Sequence, residues 1–421
     1  MFVKNNFMIR FLSFILFVLT FLNHSVAQQH KTLKVLFLGN SYTYVNNLPQ
    51  LIKDIALANG DTLLFDSNCP GGHTFNNHFN NATSLSKINA QAWDCVILQA
   101  QSQEPSFSPG QVAAQTLPYA IKLDSIIKNN NNCSETVFYE TWGRKYGDAS
   151  NCGSYPPICT YIGMQNRLRA SYKLFADTTQ SIMAPAGEAW RKSIAQNPTL
   201  ELYSSDQSHP SLEGSYLTAC VFYETLFHKS VLSNTYTAGV SSINASFLQQ
   251  IAHDVVNDSL AIWNLGKHTP YAPFTKTYLG GADFQFNSSS PLFSNQWYFG
   301  DGGTSTSINP THTFALNQMF TVSHVVTNAC GKDSATLFFD TFLSGLHSIA
   351  NQELLAVFPN PAQNILYINA TSSYKIYDVL GNLCLLGNKS DIINIESLRS
   401  GVYFIELSSF NSSKKTRFVK E

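Results

Sequence analysis

Between Leu33 and Leu265, short apolar runs of strand length alternate with longer stretches of helical period. This alternation constrains the fold more than any other feature. Strands joined through helices form a parallel sheet, and helices then cover both of its faces. The strand-length runs are Leu33–Leu38, Thr62–Phe65, Cys95–Leu98, Thr136–Tyr139 and Ser181–Ala184. Between the first two, Leu48, Leu51, Ile52, Ile55 and Ala56 recur at helical spacing, and Gly60 supplies a stop. Ser211–Phe227 and Ala245–Trp263 read as later helices. The expected fold class is α/β, a three-layer doubly wound parallel sheet within residues 28–270. Sheets of this kind carry their sites at the carboxyl ends of the strands.

The first strand stops at Gly39-Asn40-Ser41. Gly-Asn-Ser is ordinary turn chemistry. It is also a way to hold a serine hydroxyl at the solvent end of a buried strand. A serine hydrolase needs a base beside that hydroxyl, a group that orients the base, and donors for the oxyanion. The segment "LYSSDQSHPSLEGSY" supplies an acid and a base three residues apart, Asp206 and His209, on a Ser- and Pro-rich loop just before a helix.

Composition agrees with a globular core: 44% of the residues are hydrophobic and 13% charged, with 30 Phe and 19 Tyr. A formal net charge of −1 advertises no basic surface, which argues against a nucleic-acid partner. The sequence contains neither CxxC nor HExxH, so it gives no support to a zinc site, and a serine hydrolase requires no cofactor. Cys152 and Cys159 flank a Pro-Gly loop that could close on itself. Cys69, Cys95, Cys133 and Cys220 have no assignable partners.

The ends of the chain read as addresses. Lys4 and Arg10 precede an apolar stretch, Phe11–Leu22, and Ser25-Val26-Ala27 offers small residues at a cleavage site. Residues 1–27 are therefore expected to be a signal peptide, which leaves no transmembrane segment in the mature chain. Texture changes after "GKHTPYAPFTKTYLGG", where short strands alternate with turn clusters. Trp297, Phe299, Gly300-Asp301-Gly302, Asn309-Pro310, His312 and Phe314 resemble the signature of a PKD domain, which implies a small β-sandwich over 280–345 that is expected to fold alone. Asp301 reads as a turn former. The last stretch, residues 352–421, carries Pro359-Asn360-Pro361, Tyr377-Asp378 with Gly381, Ser400-Gly401-Val402-Tyr403 and a basic end from Lys414 to Lys420. It resembles the C-terminal sorting domain of the type IX secretion system. That resemblance implies a second small β-sandwich, a bacterium of the Bacteroidetes type, a partnership with the secretion machinery, and a protein released from the cell or held on its surface.

Gly39-Asn40-Ser41 early and Asp206-x-x-His209 late in the α/β region resemble the SGNH, or GDSL-like, hydrolases, whose sheet is flavodoxin-like. The resemblance implies Ser41 as nucleophile, His209 as general base and then acid, and Asp206 as its orienter. It places the N–H of Ser41 in the oxyanion hole, with a glycine N–H after the second strand, for which Gly72 is favoured over Gly71. The family's third donor is an asparagine. This chain has Gln99-Ala100-Gln101-Ser102-Gln103 instead, which marks a divergent branch and leaves Gln101, with Gln103 as the other candidate. His73 and His78 are candidate substrate contacts. Trp142-Gly143-Arg144 and Gly187-Glu188 follow the fourth and fifth strands and sit at the same rim by topology. The expected activity is hydrolysis of acetyl or other acyl esters, on polysaccharides or small molecules. A lipid esterase is the alternative, as is a non-catalytic surface binding protein on a hydrolase fold.

Overall fold

The computed structural model describes residues 30–341, 357–358, 362–378, 382–409 and 412–421. The signal peptide, Pro359-Asn360-Pro361 and Gly381 lie outside the described residues.

A five-stranded sheet organises the first module, with β1 (Thr32–Leu38), β2 (Thr62–Asn68), β3 (Cys95–Leu98), β4 (Glu135–Tyr139) and β5 (Ile182–Ala184) in the order β2-β1-β3-β4-β5. All of its pairings are parallel. Val35–Leu38 of β1 and Cys95–Leu98 of β3 are buried on both faces, which is why they read as unbroken apolar runs. Successive residues of β4 point to opposite faces. Tyr139 meets Phe222 with ring centroids 4.9 Å apart, and Phe138 meets Phe175 at 5.8 Å.

Those two aromatic contacts identify the covering layers. Helices α1 (Leu48–Ala58) and α4 (Leu212–Phe227) pack together on one face, while α2 (Leu117–Asn130) and α3 (Tyr161–Thr179) pack on the other. A fifth helix, α5 (Ser242–Asn257), packs against α4. Sandwiched in this way, α4 is buried continuously from Gly214 to Phe227, as expected of a helix that is apolar all round. The chain leaves α5 at Asn257, earlier than the sequence pattern suggests, and passes through turns to Trp263. The strand order reverses direction between β1 and β3, and ligands of doubly wound sheets bind at such a switch point.

The second module is a sandwich of two sheets, one with β6 (Phe274–Gly280), β7 (Asp283–Ser288) and β10 (Thr311–Thr313), the other with β8 (Ser294–Tyr298), β9 (Thr304–Ser305), β11 (Met319–Asn328) and β12 (Gly331–Asp340). Phe284, Phe286, Trp297, Phe299, Phe314, Phe320 and Phe339 fill its core. Asp301 accepts the Gly303 N–H at 2.8 Å and binds His312 at 2.7 Å, and His312 stacks on Phe299 at 3.9 Å. The aspartate therefore builds the turn.

This module is tied to the first. Cys133, in the turn before β4, forms a disulfide with Cys330, in the β11–β12 turn. Three residues on, the buried Asp333 accepts hydrogen bonds from Lys31 Nζ at 2.6 Å, His228 Nδ1 at 2.9 Å and the Ala272 N–H at 2.9 Å. Burial alone would raise its carboxyl, yet His228, Lys31 and that amide together hold it well below the usual carboxylate range. The sandwich and the α/β sheet thus form one compact unit rather than two independent ones. Cys152 and Cys159 also pair, closing the loop between them, while Cys69, Cys95 and Cys220 are free thiols.

The C-terminal unit has its own sheet, built from β13 (Val357–Phe358), β14 (Ile365–Tyr377), β15 (Leu383–Asn394), β16 (Gly401–Ser409) and β17 (Ser412–Lys420). Leu366, Ile376, Ile393, Ile405 and Phe418 are fully buried in it.

Candidate active site

The turn after β1 is held from several directions. Gly39 is closely approached: a Cβ there would run into Thr43 Oγ1 and would sit 2.8 Å from Gln99 Oε1. Gln99 is fully buried, and its Oε1 accepts the Asn40 N–H at 2.8 Å and the Thr43 hydroxyl at 3.0 Å. Asn40 caps a single helical turn, Ser41–Tyr44, by accepting the Tyr42 N–H at 3.1 Å. Its own amide nitrogen donates to the carbonyls of His73, at 3.0 Å, and Ala100, at 3.2 Å. Ser41 is therefore the first residue of a helical turn fixed to the ends of β2 and β3, and its N–H is one that a helix leaves unpaired.

His209 Nε2 lies 2.8 Å from Ser41 Oγ, and His209 Nδ1 is hydrogen-bonded to Asp206 Oδ2. Residues 168 apart in sequence thus meet in a serine–histidine–aspartate contact chain. Asp206 Oδ1 accepts from the N–H groups of Ser208, at 3.0 Å, and His209, at 2.9 Å, and from Ser204 Oγ at 2.9 Å. Partial burial pushes the Asp206 carboxyl up, but the bonds from His209, Ser208 and Ser204 outweigh it and hold the group well below its ordinary value. Asp206 therefore stays ionised throughout the physiological range.

A cleft of about 150 Å³ opens in front of the serine, lined among others by Ser41, Gly72, Gln101, Ser102, Arg144 and His209. Gly72 adopts a left-handed conformation (φ 70°) and turns toward this space. Neither its N–H nor that of Ser41 has a protein acceptor among the described residues. The two glutamines of the third block hydrogen-bond to each other and differ in their further contacts. Gln103 Nε2 is committed to Asp148 at 2.8 Å. Gln101 lines the cleft, and its Oε1 is pinned by the N–H groups of Gln103, at 2.7 Å, and Glu104, at 3.1 Å. Its Nε2 is engaged within the same loop, donating to Gln103 Oε1 at 3.1 Å and lying 3.5 Å from Ser102 Oγ, so at most one of its two hydrogens is left for the cleft.

Several rim residues behave differently from expectation. His78 makes no substrate contact: it is fully buried, with Nε2 donating to Gly39 O at 2.9 Å and Nδ1 accepting from Ser84 Oγ at 2.8 Å. Burial lowers its pKa to about 4, so the ring is neutral and braces the serine turn from below. His73 contributes its carbonyl to Asn40, and its ring lies beside that of His78. Glu188 belongs to the first turn of the helix Ala186–Gln196 and pairs with Arg169 and Arg191 at 3.3 and 2.5 Å. Those three residues line a separate cavity of about 350 Å³, in which the charges largely pair among themselves. Trp142 is buried beneath the site rather than at its rim. It stacks between Tyr42, at 4.8 Å, and Trp190, at 3.8 Å, and its indole N–H donates to Ser208 O at 3.0 Å.

Sequence reasoning missed Gln99, Tyr42 and Ser208. Tyr42 O–H and Ser208 Oγ share a hydrogen bond of 2.6 Å, which links the serine turn to the histidine loop. The adjacency of Tyr42 to Ser41 and of Ser208 to His209 was the available signal.

Residues 276–341 match the PKD domain family, and residues 356–421 match the secretion system C-terminal sorting domain family. The chain carries both domains. The second makes this a protein exported to the cell surface or beyond it by the type IX secretion machinery. Among curated proteins, collagenase ColA of Bacillus cereus is 31% identical over 108 residues, which are 24% of this chain and 11% of the collagenase. The chain thus spans about a tenth of that relative's length. Among solved structures, a DUF4886 family protein of Bacteroides uniformis is 20% identical, covering 54% of this chain and 96% of its own, with a TM-score of 0.47. A psychrotrophic esterase of a Pseudoalteromonas species is 12% identical, covering 46% and 97%, with a TM-score of 0.32. The fold assignment rests on this chain's own strand order and parallel pairing. No helix among the described residues is long and apolar enough to cross a membrane.

Proposed function

We propose that this protein is an exported serine esterase that hydrolyses acyl esters, with acetyl groups on polysaccharides as the foremost substrate class. The observation that carries the reading is the contact chain Ser41–His209–Asp206 at the carboxyl end of β1, beside two unpaired N–H groups. His209 Nε2 takes the Ser41 proton as Oγ attacks the ester carbon. The carbonyl oxygen, now an anion, is held by the N–H groups of Ser41 and Gly72 and by the side-chain amide of Gln101. Collapse of this intermediate breaks the bond to the alcohol oxygen, which takes the proton back from His209. Water, deprotonated by His209, then cleaves the acyl-serine and restores the hydroxyl. Asp206 fixes the tautomer that leaves Nε2 free to accept.

The substrate class draws on two supports. The chain works outside the cell, where ester-decorated polymers are met. The cleft wall is polar, with Gln101, Ser102 and Arg144, which favours a glycan over a lipid chain. A chromogenic acetyl ester and an active-site phosphonate test the reading. Ser41→Ala is expected to abolish both turnover and labelling, at a loss of at least about 10³-fold. Unchanged turnover in that variant overturns it.

A further inference from the structure

Arg144 stands apart from the triad, and the structure gives it no sufficient internal role. Its backbone is fixed on both sides: the Gly143 N–H donates to Gln165 Oε1 at 2.8 Å, Tyr203 O–H donates to the Gly143 carbonyl at 2.6 Å, and the Lys145 N–H donates to the Gln207 carbonyl at 3.1 Å. The side chain lines the same cleft as Ser41 and remains 27% exposed. Its guanidinium has one partner among the described residues, Asp148 Oδ1 at the long distance of 3.5 Å, and its buried Nε has none. Asp148 is itself fully buried and already accepts from Gln103 Nε2 at 2.8 Å, Asn151 Nδ2 at 2.7 Å and the Ser150 N–H at 3.2 Å. It anchors the arginine without saturating it. A rigid backbone therefore carries a fork of donors to the wall of a polar cleft and leaves most of them unpaired.

We propose that Arg144 is a specificity residue that binds a carboxylate on the substrate, close to the scissile ester. The inference rests on the hydrolase reading above and narrows its substrate class to acidic esters. A guanidinium fork matches a carboxylate in two parallel hydrogen bonds. Asp148 already balances the guanidinium, so a ligand that brings one negative charge beside Asp148 and the ionised Asp206 is repelled less than a dianionic phosphate that brings two. The carboxylate belongs either to the alcohol, as in an acetylated uronic acid, or to the acyl group, as in a hemiester of a dicarboxylic acid.

Two matched pairs of esters test the proposal. The first is the methyl glycoside of acetylated glucuronate against that of acetylated glucose. The second is 4-nitrophenyl hemisuccinate against 4-nitrophenyl butyrate. The wild-type protein is expected to prefer the acidic member of at least one pair by about 10- to 100-fold in kcat/KM, the worth of a hydrogen bond to a charged group. The pair that shows the preference identifies the side carrying the charge. Arg144→Gln is expected to remove the preference chiefly through KM, and Arg144→Lys to keep part of it. The wild-type ratios and Arg144→Lys decide the matter if Arg144→Gln does not fold. Equal kcat/KM for both members of both pairs overturns the proposal and leaves the hydrolase reading standing. So does a loss of kcat in Arg144→Gln that is the same for acidic and neutral esters with the preference intact. Absence of Ser41-dependent turnover on all four esters overturns both.

Discussion

Replacing Asp206 by asparagine isolates what the carboxylate does. Three donors converge on Oδ1: Ser204 Oγ at 2.9 Å, the Ser208 N–H at 3.0 Å and the His209 N–H at 2.9 Å. An asparagine keeps its oxygen there, and its NH₂ then faces His209 Nδ1. A donor opposite Nδ1 forces that nitrogen to accept, and the ring proton moves to Nε2. Nε2 lies 2.8 Å from Ser41 Oγ, so a protonated Nε2 cannot take the hydroxyl proton. The loop itself should survive, since all three bonds to Oδ1 remain and the side chain is 49% exposed; a stability loss of no more than about 1 kcal/mol is expected. Turnover should fall by about 10⁴-fold. His209→Ala, which removes the base itself, should cost more, about 10⁶-fold, and the double variant with Ser41→Ala should lose little beyond the single ones. The assay is kcat on a chromogenic ester, in preparations free of wild-type background, together with the ring nitrogen shifts of His209. A loss under about tenfold with the proton still on Nδ1 would refute the tautomer argument.

Other perturbations follow from the same structure. Gly39→Ala drives a methyl against Thr43 and Gln99, with an overpacking cost of about 1–3 kcal/mol and a larger loss of turnover because Gln99 anchors Asn40; an unaltered urea midpoint and kcat would contradict this. The Cys133–Cys330 disulfide closes a sequence separation of 197 residues, for which chain entropy gives about 5 kcal/mol, so Cys133→Ser/Cys330→Ser should lower and split the urea transition; one unchanged transition would count against the joined unit. His78, at about 4 in the fold against 6.5 in the open chain, contributes stability that is complete above pH 6.5 and is lost as pH falls toward 4, by about 3 kcal/mol. Glu135, raised by burial to about 7, works in the opposite direction over an overlapping range, so the test is an NMR titration of the His78 ring, where a midpoint near 6.5 would refute the bracing role.

The strands were legible because each is an apolar run bounded by turn residues, and β1 and β3 lie centrally where both faces must be apolar. Ser41, His209 and Asp206 could be singled out as candidates for a related reason: ligands of a doubly wound sheet bind where strands end, and Ser41 stands at one of those places. What escaped was the polar scaffold. Gln99 looks like one more residue of a Gln-rich loop, and its role depends on Asn40, 59 positions away. His78 resembles a loop histidine until its burial under Gly39 is known. The pairing of Cys133 with Cys330 joins two modules whose contact no local pattern encodes. In each case the missing information is a long-range contact of a polar group, which neither periodicity nor turn chemistry reports.

The proposed chemistry requires Ser41 and His209 to be held at hydrogen-bond distance, because a catalytic constellation tolerates only about 0.5 Å of error. The serine turn is built from the ends of β1, β2 and β3, whereas the histidine loop enters before α4 on the far side of 168 residues. Trp142 spans the gap. Its ring is clamped between Tyr42, the neighbour of Ser41, and Trp190 of the helix Ala186–Gln196, while its N–H holds the carbonyl of Ser208, the neighbour of His209. The Tyr42–Ser208 hydrogen bond closes the triangle. Trp142 is fully buried, so its position is set by close packing rather than by solvent-exposed contacts. Two residues later the same strand-to-helix connection delivers Arg144 to the cleft. One loop after β4 therefore braces Ser41 against His209 and also supplies the charge that, on the proposal above, would choose the substrate. This explains why a large aromatic side chain, a glycine that accepts Tyr203 at its carbonyl, and an arginine stand in direct succession.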